Sequence, residues 1–165
     1  MKGKKTYSEE ETNSPELREA AVAYGTPTHR VIALMGIHQK KVGNDNDFIA
    51  MIREGVPKEA MDNLMDITGL NAQEMASITH TSDRTLRRYT AKTKLNQEQS
   101  ERMIELAKLY SRGEDVLGTL DNFKTWMDTP QMAFGNKRPK EYLDTSIGIE
   151  WITDELGRIE HGIFA

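Results

Sequence analysis

The sequence predicts an all-α protein with a helix-turn-helix at its centre and a small helical unit after it. Three observations carry this expectation. Capping residues stand immediately before short apolar-periodic segments, at Asn71, Ser82 and Asn96. Apolar residues recur at helical spacing, as in Met61, Leu64, Met65 and Ile67, or Met103, Leu106, Ala107 and Tyr110. No hairpin pattern and no internal repeat interrupts them.

The elements follow in order. Residues 1–14 are polar and charged and are expected to fray. Residues 15–24 can form a short helix ending at Gly25, and Val31, Ile32, Leu34 and Met35 favour a second between 26 and 36. A polar loop, 40–47, leads to a helix over 47–54 that Gly55 closes. Pro57 suits the first turn of a helix over 58–68, which Gly69 stops. After the helix-turn-helix, Asn96 caps a long amphipathic helix through Arg112, with Gly113 as its stop. A further helix is expected over 114–127, where Val116, Leu120, Phe123 and Met127 repeat, and Pro130 bars its continuation. Met132 to Phe134 leads to a turn at Gly135-Asn136. Pro139 begins a helical turn through Leu143, and Asp144 or Thr145 caps a final helix to His161, with Ile152, Leu156 and Ile159 inward. Three units are expected: an N-terminal segment 1–55, the helix-turn-helix unit 56–112 and a C-terminal unit 113–165.

Residues 71–95 are the most informative stretch. Asn71 and Glu74 have capping-box spacing, and Met75, Ala76 and Ile78 give the first helix its apolar side. A small residue such as Ala76 lets two helices approach closely. His80-Thr81 forms the turn, where His80 is either near phosphate or simply solvated. Ser82 caps a second helix, expected over 82–92, with Asp83 at its positive dipole end. The whole chain has a formal net charge of −4, yet from Ser82 to Leu95 five cations (Arg84, Arg87, Arg88, Lys92, Lys94) accompany only Asp83. Local positive charge is what phosphate binding requires. The bland alternative is a solvated helix whose cations give solubility. On the DNA reading, the capping Ser82 belongs to the DNA-binding set, and Arg84, Thr85 and Arg88 lie toward base edges. Arg87, Tyr89, Lys92 and Lys94 lie toward phosphate, and Leu86 is structural.

Several classes are excluded. The chain has no cysteine, so disulfides, thiolate metal sites and a Cys nucleophile are absent. His29, His38, His80 and His161 are scattered without ligand spacing. No phosphate-binding glycine loop, nucleophile elbow or nucleophile–base pair is present, so neither catalytic residues nor a cofactor or metal is expected. No apolar run approaches the roughly 20 residues of a membrane span, and the N-terminus lacks a signal-peptide core. The expected setting is the cytoplasm, without a membrane partner.

The second half carries an ordered string of residue types that are unusual for a mere core. It runs Trp126-Met127, Pro130, Ala133-Phe134-Gly135, Arg138-Pro139, Tyr142-Leu143-Asp144-Thr145 and Gly148, closing on Leu156-Gly157-Arg158-Ile159-Glu160-His161-Gly162. With the central helix-turn-helix, this resembles the Xre/MbcA/ParS-type antitoxins, partners of RES-domain toxins, over roughly residue 55 to the end. Asn136 departs from the pattern, since many relatives carry a second Gly there. The resemblance implies an Xre/Cro-like DNA-binding domain, a C-terminal toxin-binding domain and a homodimer. It implies repression of the chain's own promoter through double-stranded DNA. It also implies inhibition of an NAD-consuming RES-domain toxin by blocking its active site.

The residues leave alternatives beside this. Arg158 either meets a toxin carboxylate or pairs with Asp154 or Glu155. Ile163 and Phe164 either fill a partner's groove or dock on their own core. With Ile159, His161 and Gly162 they make up the candidate toxin-binding tail. Trp126 and Trp151 are core or edge-of-core residues, or interface anchors. Val31, Ile32, Leu34, Met35, Phe48 and Ile49 supply a dimer interface or cover the core. The runner-up function is a stand-alone transcriptional regulator whose C-terminal unit only oligomerises.

Overall fold

The computed structural model describes residues 27–37 and 44–162. The helix expected over 15–24 and the apolar tail Ile163-Phe164 lie outside the described residues. The helices are α1 (Pro27–Leu34), α2 (Asp45–Glu54), α3 (Lys58–Thr68), α4 (Ala72–Ile78), α5 (Asp83–Arg88), α6 (Gln97–Leu117), α7 (Leu120–Asp128) and α8 (Ser146–Glu160). Two 3-10 turns, Met132–Phe134 and Pro139–Tyr142, join α7 to α8. Among the described residues the only extended pairings are two isolated antiparallel bridges, Pro57 with Lys94 and Gln131 with Lys137. The protein is therefore all-α, as its periodicity predicts.

Helix α6 is the axis. Helices α1, α2, α3, α7 and α8 all pack against it. Its buried residues include Met103, Ile104, Leu106, Ala107, Leu109, Tyr110 and Ser111, which run around most of its circumference. A helix buried on most sides, with Glu101, Lys108 and Asp115 left along one exposed stripe, is what a multi-helix core demands. From Tyr110 a line of rings crosses the C-terminal half. Tyr110 meets Phe123 edge-on at 5.0 Å, Phe123 stacks on Trp126 at 5.9 Å, and Trp126 meets Phe134 at 6.1 Å. Phe134 then touches Tyr142 and Trp151. Trp126 is half-buried and Trp151 sits at the edge of this cluster.

Three expectations need correction. The break between the long helix and the next falls at Gly118-Thr119, not at Gly113. Gly113 lies inside α6 because the Phe123 ring rests directly on its Cα, where a methyl group would collide. Gly118 (φ 86°) ends α6, and the Thr119 hydroxyl accepts from Asn122 N at 3.1 Å to cap α7. Helix α2 starts at Asp45 rather than 47, because Asn44 and Asp47 form a reciprocal capping box. The third concerns the helix expected over 82–92, which ends at Arg88, with Tyr89 extended at its C-cap.

The reason for that early end lies in α3. Pro57, at the α3 N-cap, offers no capping side chain, so the first amides of α3 need other acceptors. The carbonyls of Thr93 and Ala91 supply them, accepting from Lys58 N and Glu59 N at 2.9 Å each. The Thr90 amide donates to the Thr93 hydroxyl at 3.0 Å, which closes the turn. Residues 90–94 thus form a loop pinned to α3, and Lys92 and Lys94 stand on that loop rather than on a helix.

The apolar residues considered for a dimer interface are mostly used within the chain. Val31, Ile32, Leu34, Met35 and Phe48 are buried, and α1 and α2 pack on α6. Ile49 alone of that set is exposed, at 44%.

Candidate functional site

The helix-turn-helix is built by its caps. Asn71 Oδ1 accepts from Gln73 N and Glu74 N, and Glu74 Oε2 accepts from Asn71 N, all at 2.9 Å. Helix α4 buries Met75, Ala76 and Ile78. The chain reverses at His80, whose φ of 50° is a left-handed conformation that His tolerates better than bulky or β-branched residues. Thr81 N then donates to the Ala76 carbonyl at 2.9 Å, so the small Ala76 sits where the turn folds back. Ser82 Oγ accepts from Thr85 N at 3.1 Å and caps α5.

Helix α5 buries only Leu86 and presents the rest of its surface outward. Arg84, Thr85, Arg87 and Arg88 are exposed, as are Ser82, Lys92 and Lys94, while Tyr89 is half-buried against the core. The cations differ in commitment. Arg87 is held by Asp83 at 2.8 Å, which keeps its guanidinium pKa above the ordinary value, and Lys94 pairs loosely with Glu54 at 3.4 Å. Arg84, Arg88 and Lys92 make no ion pair among the described residues. Thr85 shares its hydroxyl with Ser82 at 2.8 Å. The result is one exposed, basic face formed by α5 and the loop after it.

The turn is also tied to the rest of the molecule, which sequence reading missed. His80 Nδ1 lies 2.9 Å from Glu98 Oε1 and His80 Nε2 lies 2.8 Å from the Asp144 carbonyl. Both partners only accept, so the doubly protonated ring satisfies both. The hydrogen bond with Glu98, then that with the Asp144 carbonyl, raises the His80 pKa above 6.5. Gln99 works twice. Its side-chain oxygen accepts from Asn96 N at 3.1 Å in a capping box, and its amide donates to Thr81 Oγ1 at 2.7 Å. Lys140 bridges Glu74 at 3.2 Å and Asp128 at 2.5 Å, and the hydrogen bond to Asp128 is the main cause of its raised pKa. Arg102 donates to Ser146 Oγ at 2.7 Å. The segment before α8 is therefore fastened to the helix-turn-helix at several points.

At the other end, Thr145 rather than Asp144 caps α8, its Oγ1 accepting from Gly148 N at 3.0 Å. Ile149, Ile152 and Leu156 are buried. Arg158 pairs with Glu155 at 2.8 Å, Ile159 is half-buried, and His161 is the C-cap, with Gly162 following at φ 67°. Asn136 adopts φ 61°, a conformation Asn tolerates. Met132, Ile147 and Trp151 stay exposed, at 87%, 78% and 37%. Among the described residues no cluster of carboxylates and histidines could hold a metal, and no helix is long and apolar enough to cross a membrane.

Comparison with known proteins agrees with this architecture. Residues 47–108 match the antitoxin Xre-like helix-turn-helix domain, and residues 112–162 match the antitoxin Xre/MbcA/ParS C-terminal toxin-binding domain. The chain is 30% identical to the Antitoxin Xre of Yersinia enterocolitica, over 69% of this chain and 78% of that protein. It is 28% identical to the Antitoxin Xre of Photorhabdus laumondii, over 69% and 78% respectively. It is also 28% identical to the Prs ADP-ribosylating antitoxin of a Sphingobium species, over 72% and 81%. Among solved structures, the M. tuberculosis MbcT–MbcA toxin–antitoxin complex is similar at a TM-score of 0.45 and 20% identity, over 61% of this chain and 90% of that one. The two family models lie in tandem along one chain, and a named antitoxin is 30% identical to it over 78% of that antitoxin's length. The chain belongs to the Xre/MbcA/ParS antitoxin family, as the antitoxin of a toxin–antitoxin system and not an enzyme.

Proposed function

We propose that the protein represses its own promoter through α5 and neutralises an NAD-consuming, RES-domain toxin through its C-terminal half, in the cytoplasm and as a homodimer. The observation that carries the DNA half is the Ser82-capped α5, which buries Leu86 and leaves Arg84 and Arg88 exposed without an ion-pair partner among the described residues. Capped, outward-facing cations at a helix start are what major-groove reading uses. Arg84, Thr85 and Arg88 face base edges. Arg87, Lys92, Lys94 and the Tyr89 hydroxyl follow the phosphates. A recognition helix of six residues reads a short half-site, so a two-fold dimer on a near-palindrome completes the site.

For the toxin half, the match to a toxin-binding domain gives the class of partner. The ADP-ribosylating name of one relative is consistent with NAD chemistry in the system. Arg158 and Ile159 lie in the last turn of α8, and Gly162, at positive φ, stands just beyond it as a joint. Arg158, Ile159, His161 and Gly162, continuing into Ile163 and Phe164, enter the toxin's active-site cleft. Arg158 exchanges Glu155 for a toxin carboxylate.

Two measurements test the reading. In a mobility-shift assay on the native promoter, Arg84→Ala and Arg88→Ala should each weaken binding by about 1–3 kcal/mol and relax specificity at one position. Unchanged affinity for both removes α5 as the reading helix. Deletion of residues 158–165 should abolish protection of cells expressing the toxin, seen as a fall in NAD, while promoter binding persists. Preserved NAD removes the tail from the inhibitory role.

A further inference from the structure

Building on the antitoxin reading, we infer that the toxin is gripped by a second surface, distinct from the tail. This is the face formed by Ile147, Trp151 and Met132 and bordered by Glu150 and Asp154. It takes a toxin surface with an apolar hollow flanked by lysine or arginine on the α8 side.

Nothing among the described residues covers the apolar part. Ile147 is 78% exposed in the first turn of α8, while its neighbour Ile149 is 7% exposed and faces α6. Trp151 stands one turn after Ile147 on the same side of the helix. Met132, 87% exposed, projects from the 3-10 turn whose Phe134 ring lies 4.7 Å from that of Trp151. The Trp151 ring is held in place from below by Phe134 and by Tyr142 at 5.2 Å. The Tyr142 hydroxyl donates to the Phe134 carbonyl at 3.3 Å and fixes that support. A tryptophan already locked in one orientation loses little freedom on docking, which is the property of an interface anchor.

The charges identify the occupant. Glu155 and Glu160 of α8 are neutralised within the chain, by Arg158 and Arg112. Glu150 and Asp154, which flank Trp151 on the exposed side, have no ion-pair partner among the described residues. The acids left available are thus those beside the apolar face, while Lys137 stands at its Met132 end. DNA is repelled by such a border. A second copy docking through the same face would set Glu150 and Asp154 against their own counterparts. A cationic-rimmed protein fits, and the face lies within the segment that matches the toxin-binding domain.

The test uses the full-length chain and the purified RES-domain protein encoded beside its gene, with affinity measured by calorimetry. The variants are Ile147→Lys, Trp151→Ala and the double variant Glu150→Lys with Asp154→Lys. Ile147 is so exposed that its replacement leaves the fold intact, which a melting curve and promoter affinity verify. Each apolar variant should weaken toxin binding about thirtyfold or more. The acidic double variant should slow association and flatten its dependence on salt. Binding by all variants within a few-fold of wild type overturns the inference and leaves the antitoxin reading standing. A wild-type chain that does not bind the toxin overturns both. If Ile147→Lys instead dissociates a dimer without changing toxin affinity, the face joins two copies and the inference falls.

Discussion

At the scale of single residues, His80 shows how one side chain joins distant segments of the chain. It reverses the chain before α5, and its ring reaches both α6, through Glu98, and the segment before α8, through the Asp144 carbonyl. Both bonds favour the protonated ring, against partial burial and the positive charge of Arg102. The sign follows from linkage. A histidine whose folded pKa is raised contributes stability that is complete below its ordinary value of 6.5 and is lost as pH rises through the folded value. The variant His80→Asn keeps a residue that tolerates the left-handed turn but removes the charge. We expect wild type to melt above this variant at pH 5.5, and the gap to narrow steadily toward pH 8. A gap that is constant across that range assigns the role of His80 to backbone shape alone.

At the scale of elements, two glycines in helices behave oppositely. At Gly113 a methyl group meets the Phe123 ring, so Gly113→Ala sets overpacking of about 1–3 kcal/mol against a helix-propensity gain of about 1 kcal/mol. Around Gly157 nothing lies near a new Cβ, so Gly157→Ala keeps only the gain. Urea unfolding should show Gly113→Ala less stable than wild type and Gly157→Ala more stable, by roughly 0.5 kcal/mol. The same pair explains what was legible in the sequence. The caps at Asn71, Ser82 and Asn96, and the stop at Gly69, were readable because each acts on amides or carbonyls within a few residues, while Asp144 and Thr145 stood as alternatives for the last cap. Gly113 misled because its reason is a ring from the next helix. The end of α5 at Arg88 was hidden because Ala91 and Thr93 answer a need at the start of α3. The partners of His80 stand 18 and 64 residues away, so no local pattern could announce them. Of the candidate sites, the basic face was legible through its charge. For Trp151 only the alternatives of core, edge of core and interface anchor were legible, because exposure at one edge of an aromatic cluster is a property of the packed molecule.

At the scale of the whole molecule, α6 serves the helix-turn-helix and the toxin-binding half at once. Its first turn anchors Thr81 through Gln99 and Val56 through Ser100, and its later turns carry α7 and α8. Unfolding should therefore be a single event. Trp126 and Trp151 both report on the C-terminal half, whereas far-ultraviolet circular dichroism reports on every helix. We expect the two signals to give coincident thermal transitions. A tryptophan transition that clearly precedes the loss of helix would show two independent units. The fragment 113–165 should not fold alone, since it lacks the Tyr110 ring against which Phe123 rests.

The shared helix also bears on inheritance. A genome that carries several such gene pairs keeps them insulated only if each antitoxin reads its own promoter and its own toxin. A crossover that joins the front of one antitoxin to the back of another must splice through α6. The glycine at 113 would then have to arrive together with the phenylalanine at 123, and the histidine at 80 with the backbone turn at 144. Hybrids that break those pairs are penalised before either specificity is exercised. Address and cargo are thus expected to pass from generation to generation as one unit, and new pairings to arise by gradual change on the surface rather than by shuffling of halves.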